Sequence, residues 1–273
     1  MRVSISVLFL SVALAACSQS AEETATAEPE VEATAVAAED AENTPAAKPF
    51  SFEDEEKQGE ALRTMEYSWP VEVSREPELA AQLDAHRLER LAEQKKEWAD
   101  QIEACGPNSG PCSNNGYSNA YEVVADLPRF LSLSNDFFLY TGGAHGLYGK
   151  GSMVWDREDK QSLDPQELFI SQAALDQAVR EKACAALNRE RAKRRGMPVA
   201  QDGEWPNQCI GMDETVLFLG SSNGKTFDRF GLYYGPYTAG PYAEGDFELN
   251  FPITQAVLNA VKPEYRNAFS VKQ

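Results

Sequence analysis

The sequence predicts an α+β fold: antiparallel sheet segments packed with two long helices. Three observations carry that expectation. Apolar residues recur near helical spacing in two long stretches, from about Pro77 to Ala104 and from about Ser171 to Arg194. Short runs rich in β-branched and aromatic residues lie before, between and after them. Strand runs and helices do not alternate strictly, which favours α+β over a doubly wound parallel sheet.

The elements follow in order. Glu66 to Val73 reads as a strand whose Pro70 suits an edge. The first long helix opens on Pro77, a good first-turn residue, flanked by Glu76 and Glu78. Its apolar positions are Leu79, Leu83, Leu88, Leu91, Trp98 and Ile102. Asn119 to Leu127 and Phe130 to Tyr140 read as adjacent strands joined at Pro128, compatible with a hairpin. Another strand passes through Ser152 to Trp155, and Leu163 to Phe169 turns into the second long helix. Gly196 is a plausible stop for that helix. Strands then follow at Thr215 to Gly220, Thr226 to Tyr234 and Asp246 to Phe251, with a short helix from Thr254 to Val261.

The N-terminus reads as an address. Residues 1–16 carry Arg2, then an apolar stretch too short for a bilayer core of ~30 Å, followed by small residues, which is the pattern of a signal peptide. Leu14-Ala15-Ala16-Cys17 resembles the lipobox of bacterial lipoproteins. That resemblance implies cleavage before Cys17, its acylation with two or three chains, and stable anchoring in a membrane. Ser18 follows Cys17, and by the same resemblance favours an outer membrane, facing the periplasm. Residues 17–60 are then expected as the lipidated Cys and a disordered acidic linker. From Ser18 to Glu60 there are thirteen acidic residues and two lysines. Such a chain buries too little apolar surface to offset its ordering entropy, and its r.m.s. reach is roughly 35–40 Å.

Residues 61–273 are expected to fold, with 61–160 and 161–273 as subregions. The whole chain has a net charge of −18, which works against nucleic acid and anionic lipid and leaves neutral or basic partners. Beyond Cys17 four cysteines remain, and an even number fits an oxidising compartment. Three pairings are open. Cys105 and Cys112 bracket a Gly/Pro turn, and Cys184 lies on the second helix with Cys209 in the loop after it, so Cys105–Cys112 and Cys184–Cys209 are expected. The spacings fit no zinc ribbon or finger, so neither metal nor cofactor is expected.

Three stretches occur together: Tyr140-Thr141-Gly142-Gly143-Ala144-His145-Gly146, Leu163-Asp164-Pro165-Gln166-Glu167-Leu168-Phe169, and Tyr234 to Gly245 followed by the strand to Pro252. In this order they resemble an extracytoplasmic domain family of unknown function. It is found in the ectodomain of the lysozyme-sensing anti-sigma factor RsiV and ahead of the catalytic domain of the peptidoglycan deacetylase PdaC. The resemblance spans about residues 62–265. It implies the fold and an extracytoplasmic setting. Signalling and deacetylation do not carry over, because the chain shows no sigma-factor-binding segment and no deacetylase domain.

His145, in a Gly-rich turn, is the candidate catalytic residue, as general base or ligand. Against this, Gly142, Gly143 and Gly146 allow positive φ and close approach, and His145 can simply fix the loop. Tyr233, Tyr234, Tyr237 and Tyr242, with His145, form the candidate binding face, since aromatic surfaces grip sugar rings and protein partners. The basic run Arg189 to Arg195 is expected as a solvated helix end. The function expected is an envelope lipoprotein that binds a cell-wall component or a lysozyme-like protein without catalysis. The alternative is an envelope hydrolase acting on peptidoglycan or a related glycan, with His145 at its site.

Overall fold

The computed structural model describes residues 46–200 and 202–272. The signal peptide, Cys17 and most of the linker therefore lie outside the described residues. Two sheets carry the fold. The first has six strands in the order β1 (Phe50–Gln58), β2 (Ala61–Trp69), β3 (Asn115–Asp126), β4 (Phe130–Tyr140), β5 (Leu147–Asp156) and β6 (Gln161–Leu163). The second has three, β7 (Val216–Gly220), β8 (Arg229–Tyr234) and β9 (Phe247–Pro252). The helices are α1 (Val71–Ser74), α2 (Pro77–Cys105), α3 (Gln172–Arg195) and α4 (Gln255–Ala260). None of the described helices is long and apolar enough to cross a membrane.

Two expectations need correction. Residues 50–58, assigned by composition to the linker, form β1, paired with β2 along its whole length. The acidic residues of this stretch mask its short alternation: Phe50 and Phe52 are half-buried between exposed Ser51 and Glu53. The sheet is also not wholly antiparallel, because β2 and β3 run parallel. A parallel pair needs a long crossover, and α2 is that crossover. The other strand pairs are antiparallel.

α2 covers one face of the large sheet, over Met65, Tyr67, Trp69, Leu131, Leu133 and Trp155. Its buried seam is Leu79, Leu83, Arg87, Gln94, Trp98 and Ile102, and Leu88 is exposed instead. The seam keeps helical spacing but admits two polar residues. Arg87 lies over the Phe52 ring at 4.2 Å, and Gln94 Nε2 donates to the Thr64 carbonyl and to Asn115 Oδ1, each at 2.9 Å. On the opposite face β7 lies against β3, β4 and β5. Leu217, Leu219, Phe230, Leu232 and Leu249 turn to a core shared with Leu175, Val179, Ala183 and Leu187 of α3. The layers are thus α2, large sheet, small sheet, then α3 with α4.

α3 begins with Ser171 accepting from the Ala174 amide at 3.0 Å and ends at Gly196 in the left-handed region. Cys105 is bonded to Cys112 and Cys184 to Cys209, with Cα separations of 6.0 and 5.3 Å, within the normal disulfide range.

Candidate functional site

The loop from Tyr140 to Leu147 joins β4 to β5. Gly142 and Gly143 hold φ of +93° and +99°. At Gly146 a Cβ would come within 2.3 Å of the Phe138 ring, so a larger residue there would have to push that ring aside. The Tyr140 hydroxyl donates to the Gly143 carbonyl at 2.8 Å and closes the loop. His145 is exposed at its tip, with Nδ1 3.0 Å from the Gly146 carbonyl oxygen.

The second loop, between β8 and β9, comes to meet it. Tyr242 stacks on His145 with centroids 4.1 Å apart and planes 21° apart, and its hydroxyl donates to the Gly146 carbonyl at 3.0 Å. Tyr237 lies 5.4 Å from Tyr242, and Tyr148 meets Tyr242 edge-on at 6.0 Å. Trp205 was not anticipated. Its Nε1 donates to the Tyr237 carbonyl at 3.4 Å, and Trp205 and Tyr237 are 55% and 52% exposed. A tryptophan between Glu204 and Pro206 in a polar loop was the available signal. Tyr237 has φ +70°, a left-handed conformation costly for a residue with a side chain.

Three arginines of α3 hold these loops, where a solvated helix end was expected. Arg191 is fully buried and donates to the carbonyls of Ala239, Asn207 and Gln208 at 2.8, 3.2 and 2.9 Å. Burial works against its charge and pulls it below the ordinary arginine range. Arg194 donates to the carbonyls of Glu244 and Asp246 and lies 3.8 Å over the Phe247 ring. Arg195 pairs with the Glu244 carboxylate at 2.8 and 2.9 Å and with Asn207 Oδ1 at 2.8 Å.

The candidate face therefore divides. His145, Tyr237 and Tyr242 come together as expected. Tyr233 and Tyr234 do not join them, being 2% and 1% exposed. Adjacent strand residues point to opposite faces, so both cannot share a surface with Tyr237. Tyr234 packs in the α3 core, and Tyr233 lies between the sheets, its phenol raised far above the ordinary tyrosine range by burial and by the charge of Asp246.

Between the two sheets runs a polar groove of about 390 Å³, lined in part by Glu122, Lys150, Phe218, Arg229 and Glu248. Among the described residues no group of three or more His, Cys, Asp or Glu is arranged to hold a metal.

Residues 55–148 match a protein family described as deacetylase PdaC. The match takes in the His145 loop and stops before the Tyr237 loop. No curated relative matches the chain. Among solved structures, a DUF3298 family protein from Pseudomonas aeruginosa PAO1 has 21% identity and a TM-score of 0.52, covering 83% of this chain and 98% of that one. A DUF3298 family member from Bacteroides fragilis NCTC 9343 has 14% identity and a TM-score of 0.44, covering 75% and 90%. The chain thus carries an α+β domain similar to the PdaC family over residues 55–148 and sharing its fold with the Pseudomonas aeruginosa DUF3298 family protein.

Proposed function

We propose that the protein is a membrane-anchored envelope lipoprotein, lipidated at Cys17 and held at the outer membrane facing the periplasm, whose folded domain binds a cell-wall component without catalysis. One observation carries this reading: Trp205, Tyr237, Tyr242 and His145 form an exposed aromatic platform braced from behind by buried arginine contacts. Rigid, half-exposed aromatic rings offer stacking area at low entropic cost. His145 is engaged by a backbone carbonyl and a tyrosine ring, the surroundings of a stacking residue.

A basic, lysozyme-like protein is the second reading, and charge favours it. Glu53 of β1 lies directly opposite Glu66 of β2. Like charges facing across strands are destabilising, and a cationic partner would relieve them.

The test is retention of the full-length chain on purified sacculi, with lysozyme beads in parallel. The double variant Tyr237→Ala/Tyr242→Ala should lose about tenfold in retention on sacculi, the sum of two aromatic contacts. Retention of the unaltered chain no better than a charge-matched control would sink the reading. Turnover of peptidoglycan that disappears in His145→Ala would replace it with the hydrolase.

A further inference from the structure

The groove between the sheets lies apart from the aromatic platform and has its own chemistry. Its volume, about 390 Å³, falls within the range of small-molecule sites. Its two ends carry opposite charge. At one end Lys150 donates to Asp136 at 2.5 Å, while Glu122 and Glu248 line the wall beside it. Asp136, Glu248 and Glu122 keep Lys150 above the ordinary lysine range, although burial pulls the other way. One cation among three carboxylates leaves this end acidic. Below Glu248, its register partner Tyr233 is buried, and its hydroxyl makes no hydrogen bond within normal geometry among the described residues.

At the other end stands Arg229. Its side chain crosses Gly220 so closely that a Cβ there would lie 2.9 Å from the arginine Cγ. Its nearest carboxylate, Asp228, is 4.0 Å away and already engaged by the Ser222 amide at 2.8 Å. Among the described residues this long ion pair is the one contact with a carboxylate that the Arg229 guanidinium makes, and its N–H groups can still meet an incoming anion. It lies four residues along β8 from Tyr233, roughly 13 Å at strand rise.

We infer that this groove binds a short peptide bearing a free ammonium and a free carboxylate, the ammonium at Glu122 and Glu248 and the carboxylate at Arg229, with Phe218 under the chain between them. Peptide of this kind is the non-sugar part of a wall component, so the inference rests on the reading above and assigns the peptide to the groove, leaving the sugar to the platform.

Titration of the full-length chain with the tripeptide lysyl-alanyl-alanine tests it. Saturable binding is expected, weakened about tenfold by amidating the carboxylate, by acetylating the amines, by Glu248→Gln or by Arg229→Gln, as for loss of one charge-assisted contact. Tyr237→Ala should leave tripeptide binding unchanged. Failure to bind the tripeptide, or equal binding of its capped forms, overturns the inference. If sacculi are still retained in that case, the inference falls and the wall-binding reading stands. If the tripeptide binds as expected and sacculi are not retained, the groove stands and the wall-binding reading falls.

Discussion

Each half of the molecule buries an arginine, and the two are held in opposite ways. Arg63, on β2 under α2, faces Asp54 and Glu56 of β1 and donates to Gln94 Oε1 at 3.2 Å. Its own side chain is fully buried, but the carboxylates are 24% and 53% exposed. Arg191, on α3, has no carboxylate among its hydrogen-bond partners: they are three backbone carbonyls and Asn188 Oδ1 at 3.0 Å. Carboxylates at a surface can turn back to water when their arginine is removed. Backbone carbonyls fixed in packed loops cannot. The first arginine therefore fastens a strand, while the second organises a site.

The largest expected effect follows. Arg191→Met should strand several carbonyls at once, each costing ~1–3 kcal/mol if left unpaired, for a total of roughly 3 kcal/mol or more. In a domain of this size that is about 10 °C in Tm. Retention on sacculi should fall with it, because Ala239 and Asn207 belong to the loops that carry Tyr237 and Trp205. A thermal scan beside the pull-down checks both. A drop in Tm with full retention would mean that the loops hold their form without Arg191.

The disulfides sharpen the same contrast. Cys105–Cys112 spans seven residues beside α2, and Cys184–Cys209 spans 25 from α3 to the Trp205 loop. Loop-entropy arguments put them at about 2.4 and about 3.5 kcal/mol, so Cys184→Ser/Cys209→Ser should cost about 1 kcal/mol more than Cys105→Ser/Cys112→Ser. Denaturant midpoints measure the difference. Equal losses would place the α3 loops nearer to independent stability than the arginine network implies.

The two helices were legible because 3.6-residue periodicity survives polar substitutions. The identity of the α2 seam was not. Counting apolar residues selects Leu88, which is exposed, and passes over Arg87 and Gln94, whose burial depends on partners supplied by β1, β2 and β3. β1 was hidden for a related reason. Its alternation lasts two periods before the glutamates dominate, and only the facing strand β2 makes it a strand. At the site, the His145 and Tyr242 motifs were each visible, but their stacking is a tertiary fact. Tyr233 and Tyr234 are separable from the sequence alone, since neighbours in a strand point to opposite faces. The role of Arg191, Arg194 and Arg195 is not legible there, because a basic helix end looks the same whether water or loop carbonyls receive it.

The smallest expected effect lies at the first arginine, and its size depends on pH. Arg63→Met keeps an unbranched side chain beside Trp98, which the guanidinium overlies at 5.9 Å. Asp54 and Glu56 regain water, while the buried Gln94 Oε1 loses its donor, so the cost at neutral pH should be about 1–2 kcal/mol. The hydrogen bond and charge of Arg63 hold the Asp54 carboxyl below the ordinary aspartate range, outweighing burial. A carboxylate depressed in the folded state contributes stability that is present above its unfolded value of about 3.9 and lost as pH falls through the folded value. The unaltered chain should therefore lose stability in acid faster than Arg63→Met, and the gap between the two curves should narrow as pH falls through the folded value of Asp54. Urea midpoints taken from pH 7 to pH 2 would follow this. Parallel curves throughout would show that the Arg63–Asp54 pair adds nothing to the attachment of β1.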